Sequence, residues 1–377
     1  MRILHIIDPT TPEDALFTLA VICRRVAADH QVLALGHQSV MRAAVAAGVA
    51  GSAIHVARAA GWWDPSGWRS VHRKFHADQP DLLHCWGYWA ITAAAMPRHL
   101  PAVRIASLHT QPTPGEIRLL RMAGRRAPWF VLCSAREIFD QMRYAGLPRD
   151  RLAHVPPGAA EIAGPAADPA QSRKMLGLPA DDHPVVFLGG APHVHNRQDE
   201  GLWAVGILEQ IYPQARALIQ LGQVHHAPTQ AQVRRLVEFS QSLLHPDMIH
   251  FIEPEIPLQT VLAAADIMLF TPDQEIDSAM MLQAMAMGVP VVATSVPGLV
   301  DMVGNSQSVM LAPVHEPWQL AAAAHQLLSK PEQAREQTLA ARRHVEIACS
   351  SGRLAERFFS IYRQLCVAPQ QPLAILA

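Results

Sequence analysis

Glu275 and Gln283 lie eight positions apart in the stretch DIMLFTPDQEIDSAMMLQAMAMGVPVVATSVPGLVDMV, residues 266–303. A carboxylate accepts hydrogen bonds from hydroxyls, whereas an amide offers one acceptor oxygen and a donor NH2. Gln283 alone interrupts a run that is otherwise apolar nearly all round: Ala279, Met280, Met281, Leu282, Ala284, Met285, Ala286 and Met287. Its amide is either satisfied by backbone or turned toward a ligand. A second group, His193-x-His195-x-Arg197, follows Gly189-Gly190 and supplies the positive charge of its loop. Arg197 is always charged; His195 contributes charge only when protonated. The pairs His193/His195 and His225/His226 raise the question of a metal, but neither has an accompanying carboxylate or cysteine in sequence, so no metal site is expected. His109 is a lone histidine at a strand end, as well suited to a core as to a site.

The elements that must hold these residues are readable from apolar runs and their punctuation. Ile267–Phe270 is a short apolar strand bounded by Thr271-Pro272. Ser278 or Asp277 can cap the helix that follows; Gly288 stands at its left-handed C-cap and Pro290 just beyond. Val291–Ala293 then makes a right-handed βαβ unit. Glu275 falls in the loop at the strand's carboxyl end, where parallel sheets bind ligands and helix N-termini favour phosphate. The chain opens with strand Arg2–Ile7, a loop, a helix over about 15–28 and strand Gln31–Leu35, a Rossmann-like beginning. Further strands are expected at Ala53–Ala57, Leu82–Cys85, Ile105–Leu108, Phe130–Cys133, with Ser134 capping the next helix, and Leu152–Val155. Residues 164–184, rich in Ala, Pro, Gly and Asp around one short helix, read as an interdomain linker. A second α/β unit begins at Val185–Leu188, and helices close the chain.

At 377 residues two domains are the default. Half the residues are hydrophobic and 17% charged, which suits a well-buried α/β protein. A net charge of −1 gives no electrostatic reason to expect nucleic acid. Five scattered cysteines without a CxxC pair suit a reducing compartment. The start lacks a signal-peptide core and no apolar run is long enough to span a bilayer, so a cytoplasmic protein is expected.

In order and in motif the chain resembles the family 4 glycosyltransferases. The segments that carry the likeness are QPDLLHCWG, SLHT, FVLCSAREI and VPPGAAE, then VVFLGGAP, ADIMLFTP, LQAMAMGVPVVATSVPGLVDMV and FFSIYRQL. The resemblance implies an α/β GT-B fold, two Rossmann-like domains facing each other across a cleft. The acceptor-side domain would cover 1–160, the nucleotide-sugar donor domain 161–349, and a helix in 350–377 would cross back to the first. It also implies roles: Glu275 on donor-sugar hydroxyls, Gln283 on the nucleotide ribose, His109 near the reacting centre. Gly189, Gly190 and Ser278 would approach the donor, and Arg197 with His195 would hold its diphosphate.

Several positions depart from the family pattern. Gln283 stands where a glutamate is usual, and Ile276-Asp277-Ser278 replaces Gly-x-Gly. Gly190 occupies an arginine position, and Thr10-Thr11-Pro12 replaces a glycine pair in the first loop. The implied activity is a retaining transfer from a nucleotide-diphosphate sugar to a glycan, lipid or small-molecule acceptor, in the manner of cell-envelope polysaccharide synthesis, without metal or other cofactor. The departures motivate an alternative, a non-catalytic GT-B homologue that binds a glycan, nucleotide or protein. Trp62, Trp63 and Trp68 either pack a surface helix or line an acceptor site. The basic helix Gly115–Arg126 either presents a solvated face or touches the inner face of an anionic membrane.

Overall fold

The computed structural model describes the chain except for residues 97–102, 126, 128, 159–167, 180–182, 191, 222–226, 244, 254–255, 275–277, 305–306 and 369–377. It divides into two compact units, Met1–Gly158 with Ser351–Ala377, and Ala159–Ser350. In the first, strands β1 (Arg2–Ile7), β2 (Asp29–Leu35), β3 (Ile54–Ala57), β4 (Leu82–Cys85), β5 (Val103–Leu108), β6 (Trp129–Cys133) and β7 (Leu152–His154) alternate with helices. These are α1 (Glu13–Arg25), α2 (Gln38–Ala46), α3 (Pro65–Asp78), α4 (Tyr88–Ala95), α5 (Pro114–Gly124) and α6 (Arg136–Tyr144). The second unit has strands β8 (Val185–Leu188), β9 (Arg216–Gln220), β10 (Ile249–Ile252), β11 (Ile267–Phe270), β12 (Val291–Thr294) and β13 (Met310–Ala312). Its helices are α7 (Pro169–Met175), α8 (Gln198–Glu209), α9 (Ala227–Leu243), α10 (Leu258–Ala264), α11 (Ala279–Met287), α12 (Pro297–Val303), α13 (Pro317–Ser329) and α14 (Pro331–Ala348). The last helix, α15 (Ser351–Val367), belongs to the first unit.

Both sheets are parallel, ordered β3-β2-β1-β4-β5-β6-β7 and β10-β9-β8-β11-β12-β13. The strand order reverses between β1 and β4 and between β8 and β11, which sets a ligand crevice at the carboxyl edge of each sheet. Helices cover both faces, so the inner strands are buried along their length rather than at alternate residues; β4, β5, β8 and β11 are buried throughout. In the first unit α1 and α15 close one face with Leu19, Ile22, Phe358 and Leu365. The other face takes Val71, Phe75, Ile91, Leu120 and Ile138 from α3 to α6.

Three local expectations need correction. Tyr88–Ala95, to which the sequence reading assigns no element, is helix α4, and its N-terminus is capped from far away: Ala90 N–H donates to the Asp8 carboxylate at 2.8 Å. The short helix assigned to a linker is docked instead; Arg173 of α7 clasps both Asp266 oxygens at 2.8 Å, and Asp266 also accepts from Val185 N–H. Ser134 does not cap α6: the N-cap is Ala135, and Ser134 Oγ has no partner among the described residues. The βαβ unit of β11, α11 and β12 forms as read, with Gly288 at φ +79 closing the helix.

The returning helix is fixed by a buried polar junction. His84 of β4 bonds the Tyr362 hydroxyl through Nδ1 at 2.7 Å and the Ser107 hydroxyl through Nε2 at 2.7 Å. Burial drives His84 well below its ordinary range and Tyr362 well above, so both are neutral. Tyr362→Phe leaves one imidazole nitrogen unpaired in the core and should cost about 1–3 kcal/mol, read as a lower urea midpoint at unchanged slope. His5, likewise buried, is also held well below the ordinary histidine value of 6.5. Below that value the unfolded chain binds protons that the folded chain refuses, so stability is complete above it and falls on acidification. The slope is about 1.4 kcal/mol per pH unit for each such histidine. Urea midpoints that stay flat between pH 7.5 and 5.5 would contradict the neutral assignment.

Candidate functional site

At the carboxyl edge of the second sheet, β8 runs into Gly189-Gly190. Gly189 N–H continues the ladder to Leu269 O at 2.8 Å, and a Cβ there would strike the Met268 side chain. Gly190 has φ +89, and a Cβ would strike the Asn196 amide, so only glycine fits this turn. Its N–H points to Met280 Sδ at 3.0 Å and its carbonyl accepts from Gln198 Nε2 at 2.6 Å. Thr271, after β11, donates to the Asn196 carbonyl at 2.7 Å. The ends of β8 and β11 and the starts of α8 and α11 are thereby tied into one frame.

Gln283 sits on α11 with its side chain 2% exposed, and neither its amide oxygen nor its nitrogen has a partner among the described residues. A buried amide without a partner costs about 1–3 kcal/mol, so this side chain is a candidate for contact with a ligand. Ser278 is the N-cap of α11 but makes no side-chain cap bond; its Oγ lies 3.2 Å from Met302 Sδ. Glu275, with Ile276 and Asp277, lies outside the described residues.

Arg197 stands at the N-cap of α8 in the left-handed region, φ 43. Its guanidinium is already engaged: two bonds to Asp199 at 3.0 Å, one contact to Glu200 at 2.8 Å, and Asp273 at 3.7 Å. The hydrogen bond to Asp199 leads in raising its pKa. His195 Nδ1 meets Asp273 at 3.0 Å, and His315 Nδ1 meets Glu200 at 2.6 Å. A carboxylate therefore does accompany His195, brought from another strand end where sequence spacing could not reveal it. Three carboxylates thus surround the one guanidinium. Beside it lies a groove of about 580 Å³ between α8 and α9, lined by Val194, Arg197, Arg235, Phe239 and Asp273 among others.

In the first unit His109 directly follows β5 and is 6% exposed, with its ring 5.8 Å from that of Trp86. It borders a cavity of about 10 Å³ with Thr18, Ser107, Ser134 and Pro157, room for about one water. Nearby, His5, Cys23 and His30 bring potential metal-ligand atoms within 4.8 Å of one another. Their protons are otherwise committed. Trp86 N–H donates to His5 Nδ1 at 3.2 Å, so His5 carries its proton on Nε2 and donates to His30 Nδ1 at 2.9 Å. His30 in turn donates through Nε2 to the Val26 carbonyl at 3.0 Å. Burial pushes the Cys23 thiol up to about 12. His5 and His30 are links in a hydrogen-bonded core chain, not members of a prepared ligand set.

The frame residue that sequence reasoning missed is Asp8. Its carboxylate, fully buried, accepts from Thr10 N–H and Oγ–H and from Ala90 N–H. Burial raises its pKa. An acidic residue directly after a first strand was the available signal. On α5, Leu120 and Ala123 are buried and Ile117 and Leu119 pack on the core, leaving Arg118, Arg121 and Met122 exposed.

Two family models match the chain: Glycosyltransferase Family 4 over residues 18–160 and Glycosyl transferases group 1 over 182–330. The chain belongs to the family 4 glycosyltransferases. Its fold is accordingly GT-B, each unit a parallel-sheet Rossmann-like domain. HepE of Anabaena, solved with UDP and glucose, matches at a TM-score of 0.80 and 17% identity over 97% of this chain and 100% of that one. D-inositol 3-phosphate glycosyltransferases are similar in sequence. That of Corynebacterium urealyticum is 30% identical over 59% of this chain and 53% of its own length. That of Thermobispora bispora is 29% identical over 68% and 58%. The chain thus spans a little over half of these curated relatives.

For this family 4 member, Gln283→Leu separates site from scaffold. Removing an amide that has no partner among the described residues should leave the chain as stable or up to about 1 kcal/mol more stable. A urea midpoint that falls clearly would show that the amide is paired within the fold.

Proposed function

We propose that the chain is a retaining glycosyltransferase that moves a sugar from a nucleotide-diphosphate sugar to a hydroxyl acceptor. The observation that carries this is the Gln283 amide, buried and without a partner among the described residues, on the helix after β11 in a unit that matches a glycosyl transferase model. In this reading Gln283 meets the ribose and Glu275 the hydroxyls of the donor sugar. Gly189, Gly190 and Ser278 border the donor, Arg197 with His195 faces the diphosphate, and His109 serves the reacting centre. The departing phosphate takes the acceptor proton on the same face, so catalysis rests on positioning and charge stabilisation, with no metal called for. UDP-glucose is the first donor to test, given the ligands of the Anabaena neighbour. The names of the curated relatives make inositol phosphate one acceptor to include.

The carboxylates around Arg197 favour a second reading, a binding protein that no longer turns a donor over. Calorimetric titration with UDP, GDP and ADP, followed by a donor-hydrolysis panel, separates the two. The transferase reading expects saturable binding of one nucleotide and turnover of its sugar, with the anomeric configuration retained by NMR. Glu275→Ala should lower turnover at least a hundredfold while nucleotide affinity changes less than about threefold. Absence of saturable binding at millimolar nucleotide sinks the transferase reading; binding without turnover selects the second one.

A further inference from the structure

The loop between β3 and α3 displays two indoles at the surface and is built to hold them still. Trp62 is 43% and Trp63 59% exposed, and their rings meet edge to face at 5.9 Å and 88°. Asp64 pins the loop by accepting from Ala60 N–H at 2.7 Å and Ser66 N–H at 2.8 Å. The Trp62 carbonyl accepts from Trp68 Nε1–H at 3.2 Å. The Trp63 ring lies back on Gly61, where a Cβ would fall 2.6 Å from it. Two strands separate β3 from β4 in the sheet, yet the Trp62 ring reaches to within 6.0 Å of the Tyr88 ring. Tyr88 opens α4, and its N–H donates to Thr10 Oγ in the loop after β1. The three rings therefore form one ledge along the carboxyl edge of the first sheet, the edge at which parallel sheets take ligands.

Exposed indoles cost free energy unless something covers them. The neighbours on the loop, Arg58, Asp64, Pro65 and Ser66, offer no continuous apolar trough for an acyl chain. Rigid flat faces meeting in a corner suit a rigid ring that can lay a C–H face against them. We propose that Trp62, Trp63 and Tyr88 form a pyranose-binding platform and that the acceptor of this chain carries a neutral sugar ring stacked there. Only the word acceptor rests on the transferase reading; the binding of the ring does not.

Saturation-transfer NMR with methyl glucoside, galactoside, mannoside and myo-inositol tests the platform without any donor. At least one pyranoside should receive saturation at its ring C–H protons. Trp62→Ala and Trp63→Ala should weaken its binding about tenfold, with UDP affinity and thermal midpoint unchanged. Trp62→Phe should recover most of the binding if stacking is the cause. Pyranoside signals that are equal in wild type and both Ala variants overturn the proposal. So does saturation of myo-inositol alone, or an absence of sugar signal combined with Trp63-dependent sedimentation with phosphatidylglycerol vesicles. A failed nucleotide titration beside a positive, Trp-dependent sugar signal would remove the transferase reading and leave the platform standing.

Discussion

The hydrogen bond between His84 and Tyr362 joins residues 278 positions apart and closes the chain on itself. The backbone leaves the first unit at Gly158, builds the whole of the second, and returns at Ser351. The return is enforced by chemistry as well as by apolar packing. An imidazole with both nitrogens buried needs two partners, and one of them is on the last helix. Leu354, Phe358, Ile361 and Leu365 then add the burial that an amphipathic helix requires. Because the imidazole is neutral, the junction carries no buried charge that would need compensation. The same solution recurs beside it, where one proton per ring passes from Trp86 through His5 and His30 to a backbone carbonyl.

Each sheet concentrates its irregular chemistry at its carboxyl edge, and the two edges differ in character. In the first, Asp8 gathers the loop after β1 onto the start of α4, and the aromatic residues stand out from that frame. In the second, Gly190, Gln198, Met280 and Thr271 lock four element ends together. Charge there is concentrated around Arg197, whose partners at Asp199 and Glu200 come from its own helix turn. A helix N-terminus favours those carboxylates, so the first turn of α8 is stabilised by the groups that hold the guanidinium.

Much of this was legible wherever chemistry and sequence are local. The unit β11–α11–β12 follows from an apolar run, a glycine C-cap and a second apolar run, and Gln283 is conspicuous within it. The Arg197-x-Asp199-Glu200 spacing could have revealed that the arginine is occupied. What stayed hidden depends on residues distant in sequence. Helix α4 has no local cap, because its carboxylate comes from Asp8, 82 positions earlier. His195 acquires a carboxylate only when β11 delivers Asp273 beside it. The short helix α7 looked like part of a linker because its composition is that of one; its docking rests on a single arginine and an aspartate 93 positions away.

Gln283 itself can be understood from the same electrostatics. A glutamate 2% exposed on an apolar helix would have to be desolvated as an anion or carry a proton, and either costs more than burying an amide. In the transferase reading proposed above, ribose hydroxyls would supply the bonds that make a glutamate favourable there. The amide lowers the penalty of the empty state relative to a carboxylate and, in that reading, gives up one strong acceptor in the occupied state. In that reading the exchange moves free energy from ligand binding into the stability of the unliganded fold.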